Sequence, residues 1–202
     1  FALGPLAESS GYRLVSFDRV ESSTYDEGLA RARAGDPGQL WLVTDHQVGG
    51  RGRRNRAWIS PRGNLATTIL AVLDVQPATA ATLGFAAGVA MAAALRSLDV
   101  NAALKWPNDV LLNGAKLSGI GLEAETLPNG RLAIVVGIGV NIVGSPQGTP
   151  YPATSLAESG FLVSAQQLFA AFSDSWVESF RLWANGRGMD ALRSRWPPSA
   201  AG

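Results

Sequence analysis

"DVLLNGAKLSGIGLEAETLPNGRLAIVVGIGVNI" (Asp109–Ile142) carries two strand–turn–strand signatures in succession. Asn113-Gly114 lies between apolar runs, and such a pair suits a two-residue hairpin turn because both central positions need positive φ. Asn129-Gly130 repeats the signal before an apolar strand punctuated by Gly137 and Gly139. Consecutive hairpins predict neighbouring antiparallel strands. Just upstream, Ala102–Trp106 reads as another strand, broken at Pro107-Asn108.

Further out, Tyr12–Val20 alternates at short range, Gln39–Asp45 is apolar enough for a central strand, and Asn64–Leu73 is a further strand. Helices separate them. "SSTYDEGLARARAG" is stopped by Gly35-Asp36-Pro37-Gly38, and an Ala-rich helix lies within Pro77–Val100. In Ser164–Gly186, Leu168, Phe169, Phe172, Trp176, Phe180 and Trp183 are spaced to form one helix face packed on the sheet. The expected fold class is α+β, a mixed, largely antiparallel sheet flanked by helices.

Composition narrows the function classes. The 202 residues suffice for one domain with a real core, and 47% hydrophobic content with mean hydropathy +0.10 suits a globular chain. Seventeen basic residues against sixteen acidic ones leave a net charge of +1, unlike the basic excess of most nucleic-acid binders. With no cysteine there is no disulfide scaffold and no thiolate metal site, and the lone His46 excludes a two-histidine site. Pro77–Val100 is uncharged up to Arg96, but its alanines and glycines suit a buried helix better than a membrane span. The N-terminus has neither a basic signal-peptide region nor an initiator methionine and reads as a trimmed leader over residues 1–11.

Four stretches could carry chemistry. "GGRGRRNRAW" (Gly49–Trp58) packs Arg51, Arg53, Arg54 and Arg56 among glycines. Guanidinium forks bind carboxylate or phosphate in bidentate fashion, although from these residues alone a solvated loop or a nucleic-acid patch is the favoured reading. "KWPNDVLLNGAKLSGIGLE" (Lys105–Glu123) puts Asn108-Asp109 at a broken strand end and Lys116 on the return strand, where an ordinary hairpin is the simpler reading. Asp109 could hold magnesium or a ribose hydroxyl. In "ESSTYDEG", Thr24 and Glu27 form a capping box that needs no ligand. Gly137 and Gly139 suit either a narrow pocket floor or a bulge.

In this order, "GRGRRNRAW", "KWPND", "KLSGI" and "GIGVN" resemble the catalytic domain of biotin protein ligases, of the biotin/lipoate ligase superfamily, over roughly residues 12–195. The resemblance implies a class II aminoacyl-tRNA synthetase-like catalytic fold over residues 12–196, with 197–202 as a tail. It also implies that biotin and MgATP form biotinyl-5′-adenylate, whose biotinyl group passes to a lysine of a biotin carboxyl carrier protein in the cytoplasm, with a homodimer possible. By the same resemblance Lys116, Arg51 and Arg53 are catalytic. Biotin would be bound by Ser23, Thr24, Tyr25, Gln47, Gly50, Gly52, Trp58, Gly119, Gly137 and Gly139 together with those three. Arg53, Arg56, Trp58, Asn108, Asp109, Lys116 and Asn141 would face ATP or the adenylate, and Asp109 its Mg2+.

Two departures stand out. The family usually follows Ser-Thr with Asn, where this chain has Tyr25, and the small C-terminal β-barrel common in the family does not follow residue 196. An N-terminal helix-turn-helix, as in the repressor-type members, is not expected of this chain. The alternatives are a lipoate or octanoate ligase or transferase of the same superfamily, a fragment that binds biotin without full catalysis, or an arginine-loop nucleic-acid binder. The last predicts binding that weakens steeply with salt.

Overall fold

The two Asn-Gly pairs turn the chain differently in the computed structural model, which describes residues 1–52 and 58–196. Asn113 and Gly114 both take positive φ (51° and 79°) and join β5 (Asp109–Leu112) to β6 (Ala115–Thr126) in the tight form expected. The second turn is longer. Leu127 N–H donates to Arg131 O (2.8 Å) and only Gly130 is left-handed (φ 81°), giving a three-residue loop before β7 (Leu132–Val140). Pro128 accounts for the difference, because its fixed negative φ suits the first position of an ordinary turn closed by a left-handed glycine.

Four further strands complete one sheet: β1 (Arg13–Ser16), β2 (Leu40–Thr44), β3 (Leu65–Leu73) and β4 (Ala103–Lys105), in the order β1-β2-β3-β7-β6-β5-β4. Among these seven strands β1 and β2 run parallel, linked by the crossover helix α2 (Thr24–Arg33), and the other neighbours are antiparallel. The mixed, largely antiparallel sheet is the one its hairpins predict.

Each face of the sheet has its own cover. α4 (Leu83–Ser97) and α5 (Ala165–Trp183) pack together over one face, and the alanines of α4 let the two helices approach closely. The predicted aromatic stripe of α5 meets Trp41 of β2, whose indole takes edge contacts from Phe169, Phe172 and Trp176 at 5.4–6.0 Å between ring centres. On the other face α2 roofs β2, β3 and part of β7 with Tyr25, Leu29 and Ala32. Along β7, Ile134, Val136 and Ile138 enter the larger core, whereas Ala133 and Val135 lie under α2. Gly137 and Gly139 continue the second row to where the α2 roof ends.

Three features differ from the sequence reading. Residues read as a leader form α1 (Pro5–Ser9), which packs on α5: Gly4 N–H donates to Ser173 Oγ (2.8 Å), Ala7 N–H to Asp174 Oδ1 (2.9 Å), and Phe1 meets Phe169 edge-on. A five-residue helix is too short to show periodicity, and its anchors are 167 or more residues away in sequence. The Ala-rich helix is interrupted at Thr82, giving α3 (Pro77–Ala81) before α4. This stretch, Pro77–Ser97, is long and apolar enough to cross a membrane, but 61% of its most apolar window is buried within the fold. After α5, a short α6 (Met189–Ser194) leads to Trp196, which stacks on Phe85 at 4.2 Å.

Candidate active site

The floor of the site is bare main chain. Register across β6 and β7 sets Gly119 opposite Gly139 and Gly121 opposite Gly137, so four glycines make a flat patch on one sheet face. Aromatic rings lie directly on it. A methyl group on Gly139 would come within 2.5 Å of the Trp58 indole, and one on Gly137 within 2.6 Å of the Tyr25 ring. The Tyr25 hydroxyl lies over Gly121. The glycines are needed for this close approach; none of the four has positive φ. A cavity of about 390 Å³ opens above the floor.

The start of α2 forms one end of this cavity. Ser23, not Thr24, is the N-cap: its Oγ accepts from Asp26 N–H (3.3 Å) and donates to Asp26 Oδ2 (3.0 Å). The cap therefore sits one residue before the Thr24–Glu27 box read from sequence, and Ser23 is spent on it, buried but outside the cavity lining. Thr24 and Gln47 do line the cavity. Gln47 Oε1 accepts from Thr24 N–H (2.8 Å), and Thr24 Oγ1 accepts from Thr68 Oγ1 (2.7 Å). Both side chains are thus held by buried partners at a polar wall. Burial, then the negative charge of Glu123, raises the Tyr25 phenol far above its ordinary value, so the hydroxyl keeps its proton.

Lys116 marks the opposite end. Its Nζ lies 2.7 Å from Asp109 Oδ1 and faces the rings of Trp58 (5.7 Å) and Tyr151 (5.2 Å). A segment after β7 holds Tyr151 there, since Lys116 N–H donates to Pro152 O (2.8 Å) and Thr154 N–H to Lys116 O (3.0 Å). Sequence reasoning missed Tyr151, which follows a Gly/Pro/Ser-rich stretch without periodicity; a lone aromatic in "SPQGTPYPATS" was the available signal. Asn108 pins β5 to β6 through Ile120, donating from Nδ2 to Ile120 O (3.1 Å) and accepting Ile120 N–H (2.9 Å).

Arg51 and Gly52 reach the cavity wall, where the Arg51 guanidinium meets Asp26 (2.6 Å) and, more distantly, Glu123 (3.7 Å). Gly50 lies behind Trp58, on the adjoining surface groove. Asn141 is buried, donates to Thr154 O (3.0 Å), and faces a side cavity of about 70 Å³ that it shares with Trp58, Lys116 and Tyr151. Two polar atoms at this end, Trp58 Nε1 and Asn141 Oδ1, are buried without a partner among the described residues. Arg53, Arg54 and Arg56 lie outside the described residues. The structure thus gathers Thr24, Tyr25, Gln47, Arg51, Gly52, Trp58, Asn108, Asp109, Lys116, Gly119, Gly137 and Gly139 around one cavity and leaves Ser23, Gly50 and Asn141 beside it.

Among the described residues no three His, Cys, Asp or Glu side chains converge as a metal cage. Asp109 is the carboxylate lining the cavity, with one oxygen on Lys116. The cavity thus has hydrogen-bonding groups at the start of α2 and an ion-paired ammonium toward the far end of the glycine floor. It suits a molecule with a hydrogen-bonding head and an anionic tail.

Residues 17–141 match the biotin/lipoate A/B protein ligase family. A biotin–[acetyl-CoA-carboxylase] ligase of Paracoccus denitrificans is 36% identical over 191 residues, covering 89% of this chain and 78% of that protein. One from Mycobacterium tuberculosis is 33% identical over 162 residues, and there the match spans 77% of this chain but only 59% of the relative. Among solved structures, a biotin protein ligase of Leishmania major in complex with biotinyl-5-AMP superposes with a TM-score of 0.71, covering 95% of this chain and 82% of that one at 24% identity.

Proposed function

Since the chain belongs to the biotin/lipoate A/B protein ligase family, we propose that it is an ATP-dependent biotin protein ligase. Biotin's carboxylate oxygen attacks the α-phosphorus of ATP in line; the new P–O bond forms as the bond to pyrophosphate breaks. The amine of a carrier lysine then attacks the acyl carbon of biotinyl-5′-adenylate, forming an amide with loss of AMP and a proton. The acceptor we expect is a biotin carboxyl carrier protein, in the cytoplasm where ATP is at hand.

The observation that carries this reading is the presence of two unlike polar ends along one glycine floor. Thr24 and Gln47 form a buried polar wall suited to a ureido group, which rewards matched donors and acceptors. At the other end the Lys116 ammonium is oriented by Asp109 to stabilise charge on the α-phosphate as the carboxylate attacks. Trp58 and Tyr151 keep bulk water from that charge, which strengthens its effect. Arg51 would leave Asp26 for the incoming anion. The residues also fit a magnesium ion arriving with the nucleotide. Such an ion takes most ligands from phosphate and water, and Asp109 has a second oxygen to offer. When bound it would neutralise charge on the phosphates.

The test is pyrophosphate release by this chain with ATP and biotin, with lipoate as control. Release that depends on biotin and not on lipoate is expected; release with lipoate alone overturns the assignment. Lys116→Ala should lower the rate about 100-fold or more and leave biotin binding by calorimetry within a few-fold. Near-normal release from that variant removes Lys116 from the chemistry.

A further inference from the structure

The glycine floor carries an asymmetry that the ligase reading does not use. Its first pair, Gly119 and Gly139, is covered by Trp58 from the arginine loop, and its second, Gly121 and Gly137, by Tyr25 from α2. Lys116 belongs to the first pair, its Nζ reaching within 3.6 Å of where a Gly119 methyl would stand. The ammonium and the phenol therefore bound the slot from opposite ends of a floor two residues long, about 7 Å of strand. We infer that Tyr25 is the specificity-determining residue that gauges substrate length in this pocket, an inference that rests on the ligase reading above.

The reaction fixes one end of the acid, because its carboxylate must reach the phosphorus beside Lys116. Everything beyond the carboxylate has to fit between that point and the phenol ring. The ring cannot give way downward, since main chain lies directly beneath it at Gly137 and Gly121. Nor can it swing freely: it is only 9% exposed and belongs to the buried cluster that includes Leu29, Leu42 and Val135. An aromatic side chain with two torsions, resting on backbone, is a rigid stop. A shorter side chain here would leave the second glycine pair open and lengthen the slot. The same ring is not needed for the polar wall, whose Thr24 and Gln47 are held by each other and by Thr68.

The test compares biotin with homobiotin, which has one more methylene between head and carboxylate, in wild type, Tyr25→Phe, Tyr25→Asn and Tyr25→Ala. Pyrophosphate release gives kcat/KM for each acid, and the ratio of the two is the readout; a general loss of folding would lower both alike. Wild type should prefer biotin by about 10-fold or more, the scale of discrimination over one methylene. Tyr25→Phe should keep that preference. Tyr25→Asn and Tyr25→Ala should reduce it by about 10-fold, chiefly through a lower KM for homobiotin. An unchanged ratio in either shortened variant, or its loss in Tyr25→Phe, overturns the inference and leaves the ligase reading intact. Wild type that releases pyrophosphate with neither acid overturns the ligase reading, and this one with it.

Discussion

At Gly139 a hydrogen stands where any other residue would drive a carbon into the Trp58 indole at 2.5 Å. Its φ is not positive, so alanine is free of backbone strain and the whole effect falls on the indole. Trp58 is only half-buried, on a loop segment outside the strands, and yields more easily than the sheet. Gly139→Ala should therefore cost less than about 1 kcal/mol of stability while weakening biotin binding about 10-fold or more; calorimetry beside a thermal melt separates the two. At this scale the sequence was informative about identity and poor about use. Gly119, Gly137, Gly139 and Lys116 stand out by type and spacing, but nothing in their order says that Trp58 and Tyr25 lie on the glycines. Ser23 went the other way: a hydroxyl before a helix serves a cap or a ligand equally well, and only the hydrogen bond to Asp26 assigns it.

Among the elements, the β1–α2–β2 unit deserves a pH test because it carries the polar wall. Arg13 in β1 forms a two-pronged pair with Asp36 after α2 (2.5 and 3.0 Å) and also donates to Gly38 O. Partial burial alone would raise the Asp36 carboxyl, but the hydrogen bonds from Arg13 and Gly38 N–H, with the charges of Arg13 and Arg31, hold it below its ordinary value. A lowered folded value means stabilisation present above the unfolded value near 4 and lost as pH falls through the folded one. Asp36→Asn should thus cost about 1 kcal/mol at pH 7, a modest figure since Arg13 is half exposed. Urea titrations should show the gap between variant and wild type closing as pH falls below the ordinary carboxylate range. Strands and long helices were legible from their periodicity. The second turn was not, because Pro128 before an Asn-Gly pair permits a longer loop than the pair alone suggests.

For the molecule as a whole, the N-terminal residues are part of the packing. The first seven residues contribute two buried or half-buried hydrogen bonds to α5, from Gly4 and Ala7, and cover Phe169 with Phe1. Removing residues 1–9 should lower stability by about 2–4 kcal/mol, from those bonds and the apolar surface exposed on α5. Chemical denaturation of the shortened chain checks this; an unchanged midpoint would return the segment to the status of a leader. The contact could not be read in advance, since five helical residues show no period and their partners come from the far end of the chain. The mixed, largely antiparallel sheet flanked by helices was legible from its consecutive hairpins, whereas the parallel β1–β2 pair and the division of the helices between two faces were not.

β7 belongs to two histories at once. Its even-numbered residues, Ile134, Val136 and Ile138, answer to the large core, and its odd-numbered ones to α2 and then to the glycine floor under Tyr25 and Trp58. A change in substrate can accumulate on alternate positions of one strand without disturbing the side chains between them.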